Sequence, residues 1–198
     1  MKKLFVLACL AIFSLMASAQ ITWNAKLGAG VSSCTTSGDA EIKSHFVGKI
    51  GIGIEYPLSA NFSLMPSLEF AMKGAKDDKS NELNSNYLQV PVMGAYRINL
   101  NDSWNLTIKA GPYFAYGLSA KMKSQGYELD IFSTSDMGSS EYTGDRLDVG
   151  LDVGIDLEYH RFVCGVEYER GFMNFFPKIT GAAKVYNQAF YATIGYKF

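Results

Sequence analysis

The stretch Leu147–Tyr159, LDVGLDVGIDLEY, decides the fold. Leu147, Val149, Leu151, Val153, Ile155, Leu157 and Tyr159 are apolar, and between them stand Asp148, Gly150, Asp152, Gly154, Asp156 and Glu158. Successive side chains of a strand point to opposite faces, so this is a strand with one oily face and one acidic or bare face. A helix would scatter the same residues around its circumference. Soluble strands usually run roughly 5–6 residues, whereas a tilted strand that crosses a bilayer needs about 9–11. With the apolar face against lipid, the acidic face must meet water or paired charge, as it does inside a membrane-spanning barrel.

The N-terminus agrees with that reading. Met1–Ala19 is laid out as a secretory signal peptide, with Lys2 and Lys3 as the basic end and Leu4 to Met16 as the apolar core. That core is too short for a spanning helix, which needs about 20 residues. Ala17-Ser18-Ala19 is an A-x-A cleavage site, so residues 1–19 form the leader and 20–198 the mature domain, starting at Gln20. A rival lipoprotein site at Cys9 would leave only Leu4–Ala8 as the apolar core. Loss of Lys2 and Lys3 leaves 16 basic residues against 19 acidic ones and a formal charge of about −3. A nucleic-acid binder with a basic footprint is thereby excluded. Mean hydropathy is near zero because apolar and polar faces cancel.

Seven further segments repeat the alternation: Thr22–Ser33, His45–Tyr56, Phe62–Lys73, Tyr87–Ile98, Trp104–Tyr116, Phe162–Arg170 and Gln188–Phe198. With Leu147–Tyr159 they make eight strands of spanning length. The expected fold is all-β, an eight-stranded antiparallel up-and-down transmembrane β-barrel preceded by a cleavable signal peptide. Pro66, Pro91 and Pro112 fall inside strands and each costs a ladder hydrogen bond, so bulges or bends are expected there. The connectors Pro57–Asn61, Asn99–Ser103 and His160-Arg161 are short; Cys34–Ser44, Gly74–Asn86, Gly117–Asp145 and Gly171–Asn187 are long. Short periplasmic turns and long extracellular loops put both termini in the periplasm. Trp23, Tyr56, Phe62, Tyr96, Trp104, Tyr159, Phe162, Tyr196 and Phe198 then all lie at periplasmic strand ends, facing out as an aromatic girdle. Phe46, Phe70, Phe114, Tyr116, Tyr168 and Phe190 supply the outer girdle. A soluble sandwich would not collect its aromatics at alternate strand ends, and a lipocalin-like barrel would turn the apolar face inward.

Two motifs carry a resemblance. The last strand has hydrophobic residues at alternate positions, Phe190, Ile194, Tyr196 and a terminal Phe198, and is similar to the signal read by the outer-membrane barrel assembly machinery. Tyr87-Leu88-Gln89-Val90-Pro91-Val92, with Gly111-Pro112-Tyr113 in the next strand, resembles the PorT-like outer-membrane β-barrel family of Bacteroidota. The resemblance covers the mature chain and implies an integral outer-membrane barrel. The family name derives from a protein tied to type IX secretion; no feature marks this chain as that component, and the role is not carried over.

The inward positions hold acids at Glu55, Glu69, Asp148, Asp152, Asp156, Glu158, Glu167 and Glu169, and bases at Lys26, Lys49, Lys73, Arg97, Lys109, Arg146 and Lys197. An eight-stranded barrel is just wide enough for side chains to fill it, and charge in such a space has to be paired. The first reading is a plugged barrel held by an internal salt-bridge network. The second is a narrow polar pore, because the inward glycines Gly28, Gly30, Gly51, Gly53, Gly150 and Gly154 leave room for water. Asp148, Asp152 and Asp156 are too far apart along the strand to share a metal ion, so bases on adjacent strands are their expected partners. No cofactor is expected, and Cys34 and Cys164 are read as free thiols most of a membrane thickness apart.

Catalysis finds little support. His160 is in a periplasmic turn, and His45 lies at the outer rim near Ser32, Ser33 and Ser44 with no acid evidently placed to orient its ring. In the Gly171–Asn187 loop, Phe172, Phe175 and Phe176 form an oily group that would fold into the mouth, rest on the outer leaflet or contact a partner. The functional expectation is a non-enzymatic surface barrel in contact with outer-membrane lipid, with a narrow diffusion channel as the alternative and a rim lipid-modifying enzyme as a remote one.

Overall fold

The computed structural model describes residues 21–36, 42–77, 82–124, 127–133, 144–175 and 184–198. The expected leader, Cys9, Gln20 and Phe176 lie outside them. Among the described residues ten strands form one sheet: β1 (Thr22–Thr36), β2 (Ile42–Lys43), β3 (His45–Pro57), β4 (Phe62–Asp77), β5 (Glu82–Asn99), β6 (Trp104–Ser124), β7 (Tyr127–Asp130), β8 (Leu147–Tyr159), β9 (Phe162–Gly171) and β10 (Val185–Lys197). Eight are long; β2 and β7 are short additions that pair with β4 and β6. The long strands run antiparallel in the order β1–β3–β4–β5–β6–β8–β9–β10, and β10 returns to β1 from Asn24↔Lys197 to Thr36↔Val185. Closure leaves no unpaired edge, which lipid requires because it cannot satisfy backbone N–H and C=O groups. Among the described residues no helix is long and apolar enough to cross a membrane.

β8 shows why the chain folds this way. Its burial alternates residue by residue, with Asp148, Asp152, Asp156 and Glu158 buried and Leu147, Leu151, Ile155 and Tyr159 exposed. The same phase holds around the barrel, so the outside is an apolar band and the core is polar. The periplasmic end carries the aromatic girdle: Trp104 packs on Tyr159 at 4.7 Å between ring centroids, Phe162 on Tyr196 at 5.2 Å and Tyr196 on Phe198 at 5.3 Å. The His160-Arg161 turn closes the β8–β9 hairpin with His160 at φ 52°, the left-handed region that tight hairpins use.

Two expectations change. The prolines do not shift the register. Pairing lapses opposite Pro66, Pro91 and Pro112, yet resumes in step, as from Gly53↔Ser67 to Tyr56↔Leu64. A closed barrel fixes each strand from both sides, so a missing N–H costs one bond without moving the strand. The bulge lies elsewhere, between Asn86↔Ser119 and Tyr87↔Gly117, and leaves Leu118 unpaired on β6. Inward positions are therefore Tyr113, Ala115 and Gly117 below it and Ala120 above it.

The long extracellular connectors are also shorter than expected. β4 and β5 pair as far as Lys76↔Glu82, β6 runs on to Ser124, and β7 folds back on it. Cys34, placed in a loop from sequence, is an inward residue of β1. Above the bilayer, backbone pairing sustains the sheet without an oily outer face, so the sequence loses its alternation before the ladder ends.

Candidate functional site

The lumen is the best-defined site, and it is built in layers. Nearest the periplasm, Arg97 Nη2 lies 2.6 Å from Glu55 Oε1 and 3.4 Å from Glu158 Oε2. Lys197 Nζ lies 2.8 Å from Glu55 and 2.5 Å from Glu158, and Ser63 Oγ donates to Glu55 at 3.0 Å. These side chains converge from β3, β4, β5, β8 and β10 because each occupies an inward position near its strand's periplasmic end.

The middle layer is denser. Lys109 Nζ reaches Asp156 at 2.5 Å and Glu167 at 2.7 Å, and Lys26 Nζ reaches Glu69 at 2.7 Å and Glu167 at 2.9 Å. Lys49 Nζ contacts Glu167, Glu169 (3.1 Å) and Glu69 (3.6 Å). Gln89 Nε2 donates to Glu169 at 2.8 Å and to Glu69 at 3.3 Å. Carboxylate oxygens of Glu69, Glu167 and Glu169 lie within 4.8 Å of one another, a spacing that could hold a metal ion. Here the Lys49 ammonium stands among all three and supplies the positive charge.

Above this, Lys73 Nζ lies 3.0 Å from Glu169 and 3.6 Å from Asp148, and 4.1 Å from the Tyr113 ring centroid. Tyr113 Oη and Asn187 Nδ2 donate to Asp148 at 3.1 and 3.0 Å. The outer mouth is then closed by a buried apolar cluster of Tyr87, Tyr113, Ala115, Ala120, Ile131, Phe132 and Phe175. The Leu118 bulge brings Ala120 onto this cluster; no sequence signal marked it.

The inward glycines are not open channel space. A Cβ on Gly28 would lie 2.9 Å from Lys49 Cγ, one on Gly51 2.7 Å from Glu69 Cγ, and one on Gly154 2.8 Å from Lys109 Cε. These three make room for the long charged side chains of neighbouring strands, and a Cβ on Gly30 would meet the backbone of Phe190.

Several assignments are corrected. Asp148 and Asp156 meet bases as expected, but Asp152 does not: it is fully buried, and neither oxygen has a hydrogen-bond partner among the described residues. Its register neighbours are Gly111 on β6 and Glu169 on β9, neither of them a base. Arg146 leaves the lumen tally. Its Nη1 donates to the Gly117 carbonyl at 3.1 Å and its guanidinium lies 4.6 Å from the Phe132 ring centroid. The network therefore sets eight carboxylates against six cations.

The aromatic trio of the last loop separates. Phe175 is buried in the mouth, whereas Phe172 is exposed and donates its N–H to Val149 O at 2.8 Å, in phase with the outward girdle. At the rim an acid does stand beside His45, with Glu82 Oε1 3.2 Å from Nδ1. Slight burial opposes ionisation of Glu82, but Lys76, with His45, outweighs it and holds the carboxyl below its ordinary range. Ser32 Oγ is held by the backbone of Gly74, accepting from its N–H at 2.6 Å and donating to its carbonyl at 2.7 Å. Phe190, Ile194 and Phe198 are exposed on the outer face at the end of the barrel wall, with Tyr196 half-buried among them.

Comparison with known proteins bears on this architecture. A family model described as an outer membrane protein beta-barrel domain matches residues 17–177. Neisserial surface protein A (NspA) is similar in structure, with TM-score 0.51 and 13% identity over 89% of this chain and 97% of that one. The outer membrane enzyme PagL gives 0.50 and 12%, over 86% and 98%. Ail, the attachment invasion locus protein of Yersinia pestis, gives 0.49 and 16%, over 89% and 98%. No curated protein matches the chain. At these identities NspA and PagL speak for the fold alone. The closed barrel, its lipid-facing band and a family match over most of its length make this an integral outer-membrane protein, and the chain belongs to the outer membrane protein beta-barrel domain family.

Proposed function

We propose that this protein is a non-conducting scaffold that presents an interaction surface on the extracellular side of the outer membrane. The observation that supports this is the filled lumen. Two ion-pair layers, a tyrosine–lysine layer and an apolar cap succeed one another along the axis, and the space beside Gly28, Gly51 and Gly154 is occupied by neighbouring side chains. A solute would have to break several buried ion pairs, each leaving uncompensated charge that costs about 3–5 kcal/mol. The rim enzyme has less support, because Ser32 is committed to Gly74.

Within this reading the chain is a PorT-like member of its family, on the strength of the Tyr87–Val92 motif. Residues 1–19 direct its export, and Phe190, Ile194, Tyr196 and Phe198 on β10 present the edge that the barrel assembly machinery reads. The test is conductance of the refolded mature chain in planar bilayers, with Phe132→Ala/Phe175→Ala beside it. Both are expected to be silent, since the ionic layers persist when the cap is thinned. Stable, reproducible steps from the unmutated barrel would replace the scaffold with the narrow channel.

A further inference from the structure

The lipid-facing surface carries a polar cluster for which the filled lumen has no use. On the outer faces of β1, β10 and β9, Ser33 pairs with Gln188, and Gln188 with Arg170. Arg170 Nη1 donates to Thr35 Oγ1 at 2.7 Å and to Gln188 Oε1 at 2.8 Å. Gln188 Nε2 donates to Ser33 Oγ at 2.7 Å, and Tyr168 Oη to Gln188 Oε1 at 3.4 Å. Arg170 forms no ion pair with a described residue, although each of the six lumen cations has a carboxylate within 4.0 Å. Among the described residues its guanidinium is held by neutral groups through one nitrogen, Nη1.

Height on the barrel identifies what it faces. Arg170 is eight residues along β9 from Phe162 of the periplasmic girdle. At ~3.3 Å per residue and a tilt of ~45° this is roughly 19 Å of height. The apolar band is about 25 Å tall, and an arginine stem carries its head toward the nearer interface. The guanidinium thus reaches the headgroup level of the outer leaflet. Beside it opens a notch of about 170 Å³, lined by Val31, Ser33, Ser44, Tyr168, Gln188 and Phe190. Its hydroxyl and amide groups adjoin the arginine, and its apolar residues continue into the lipid band.

We propose that Arg170 and this notch seat one phosphorylated glycolipid of the outer leaflet, of the lipid A type. The guanidinium receives a phosphate, for which its planar fork is suited. Ser33, Ser44 and Gln188 meet sugar hydroxyls, and an acyl chain lies over Val31 and Phe190. A simple glycerophospholipid would satisfy the arginine but leave most of the hydroxyl row unused, which is why a sugar phosphate is the better fit. The seat does not depend on whether the lumen conducts.

The experiment is native mass spectrometry of the refolded mature chain in detergent, titrated with lipid A or with phosphatidylglycerol. Arg170→Ala, Arg170→Gln and Ser33→Ala are compared, each first shown to be folded by its heat-modifiable gel mobility. Lipid A should remain bound to the unmutated barrel and weaken about tenfold in both Arg170 variants, the loss expected for one charge-assisted contact. Ser33→Ala should weaken lipid A and leave phosphatidylglycerol unchanged. Arg170 variants that hold lipid A as well as the parent, or a parent that does not retain it, would overturn the seat. Phosphatidylglycerol bound as tightly as lipid A, with equal sensitivity to Arg170, would reduce it to an anionic contact and overturn the glycolipid assignment.

Discussion

Replacing Asp152 by Asn should stabilise this barrel, against the usual direction for a buried substitution. Asp152 is fully buried, its oxygens lack partners among the described residues, and Glu169 stands directly across from it. Cross-strand neighbours place two such carboxylates about 6 Å apart. At an effective dielectric constant of ~20 their repulsion is about 2.8 kcal/mol. Lys49, already shared among Glu69, Glu167 and Glu169, offsets part of it. A net gain of about 1–2 kcal/mol is expected, because Asn keeps the shape and removes the charge. Asp156→Asn is the matched control. It changes the same face of the same strand but takes a 2.5 Å partner from Lys109, and should lower stability by about 2–3 kcal/mol. Both variants would be unfolded in urea from the same lipid vesicles, followed by Trp23 and Trp104 fluorescence and by loss of the folded gel band. Asp152→Asn destabilising the barrel as much as Asp156→Asn would refute the argument, and with it the charge count of the lumen.

Two further outcomes test the packing. Gly150→Ala would drive a methyl group against the Arg170 carbonyl and to 2.6 Å from Tyr113 Cε1; stability in the same urea assay should fall by about 1–3 kcal/mol, and an unchanged midpoint would show that the wall yields there. Cys164 is exposed on the lipid face and Cys34 is buried beneath the mouth. A membrane-soluble maleimide should therefore label a chain beginning at Gln20 once when folded and twice when unfolded, and rapid labelling of Cys34 in the folded barrel would contradict its inward position.

Much of the architecture was legible because a strand writes its two environments into alternate residues. Leu147–Tyr159 shows this most plainly, and Trp104–Tyr116 shows its range: the pattern located the strand but lost it at the bulge, where Leu118 reverses the phase. The pattern also ended too early at Lys73 and began too late at Tyr87, since the paired segments beyond them meet water on the outside and need no oily face. The prolines misled in the other direction. Each lost a hydrogen bond as expected, but closure of the sheet held the register.

The candidate site was legible as a set of inward charges and not as a set of pairs. Asp148, Asp152 and Asp156 are equivalent in sequence, and they differ in the barrel only because Lys73, Glu169 and Lys109 arrive beside them from other strands. Phe172 and Phe175 read as one loop patch, yet one faces the lipid side and the other seals the mouth. The sequence alone determined where the spanning core of each strand lies and which side of the wall those core residues meet, because that choice is local and repeats every two residues. Only the tertiary structure decided who meets whom inside. Lys26 pairs with Glu167 across 141 residues of chain, and such a contact is set by the registers of all the strands between them, closed into one ring.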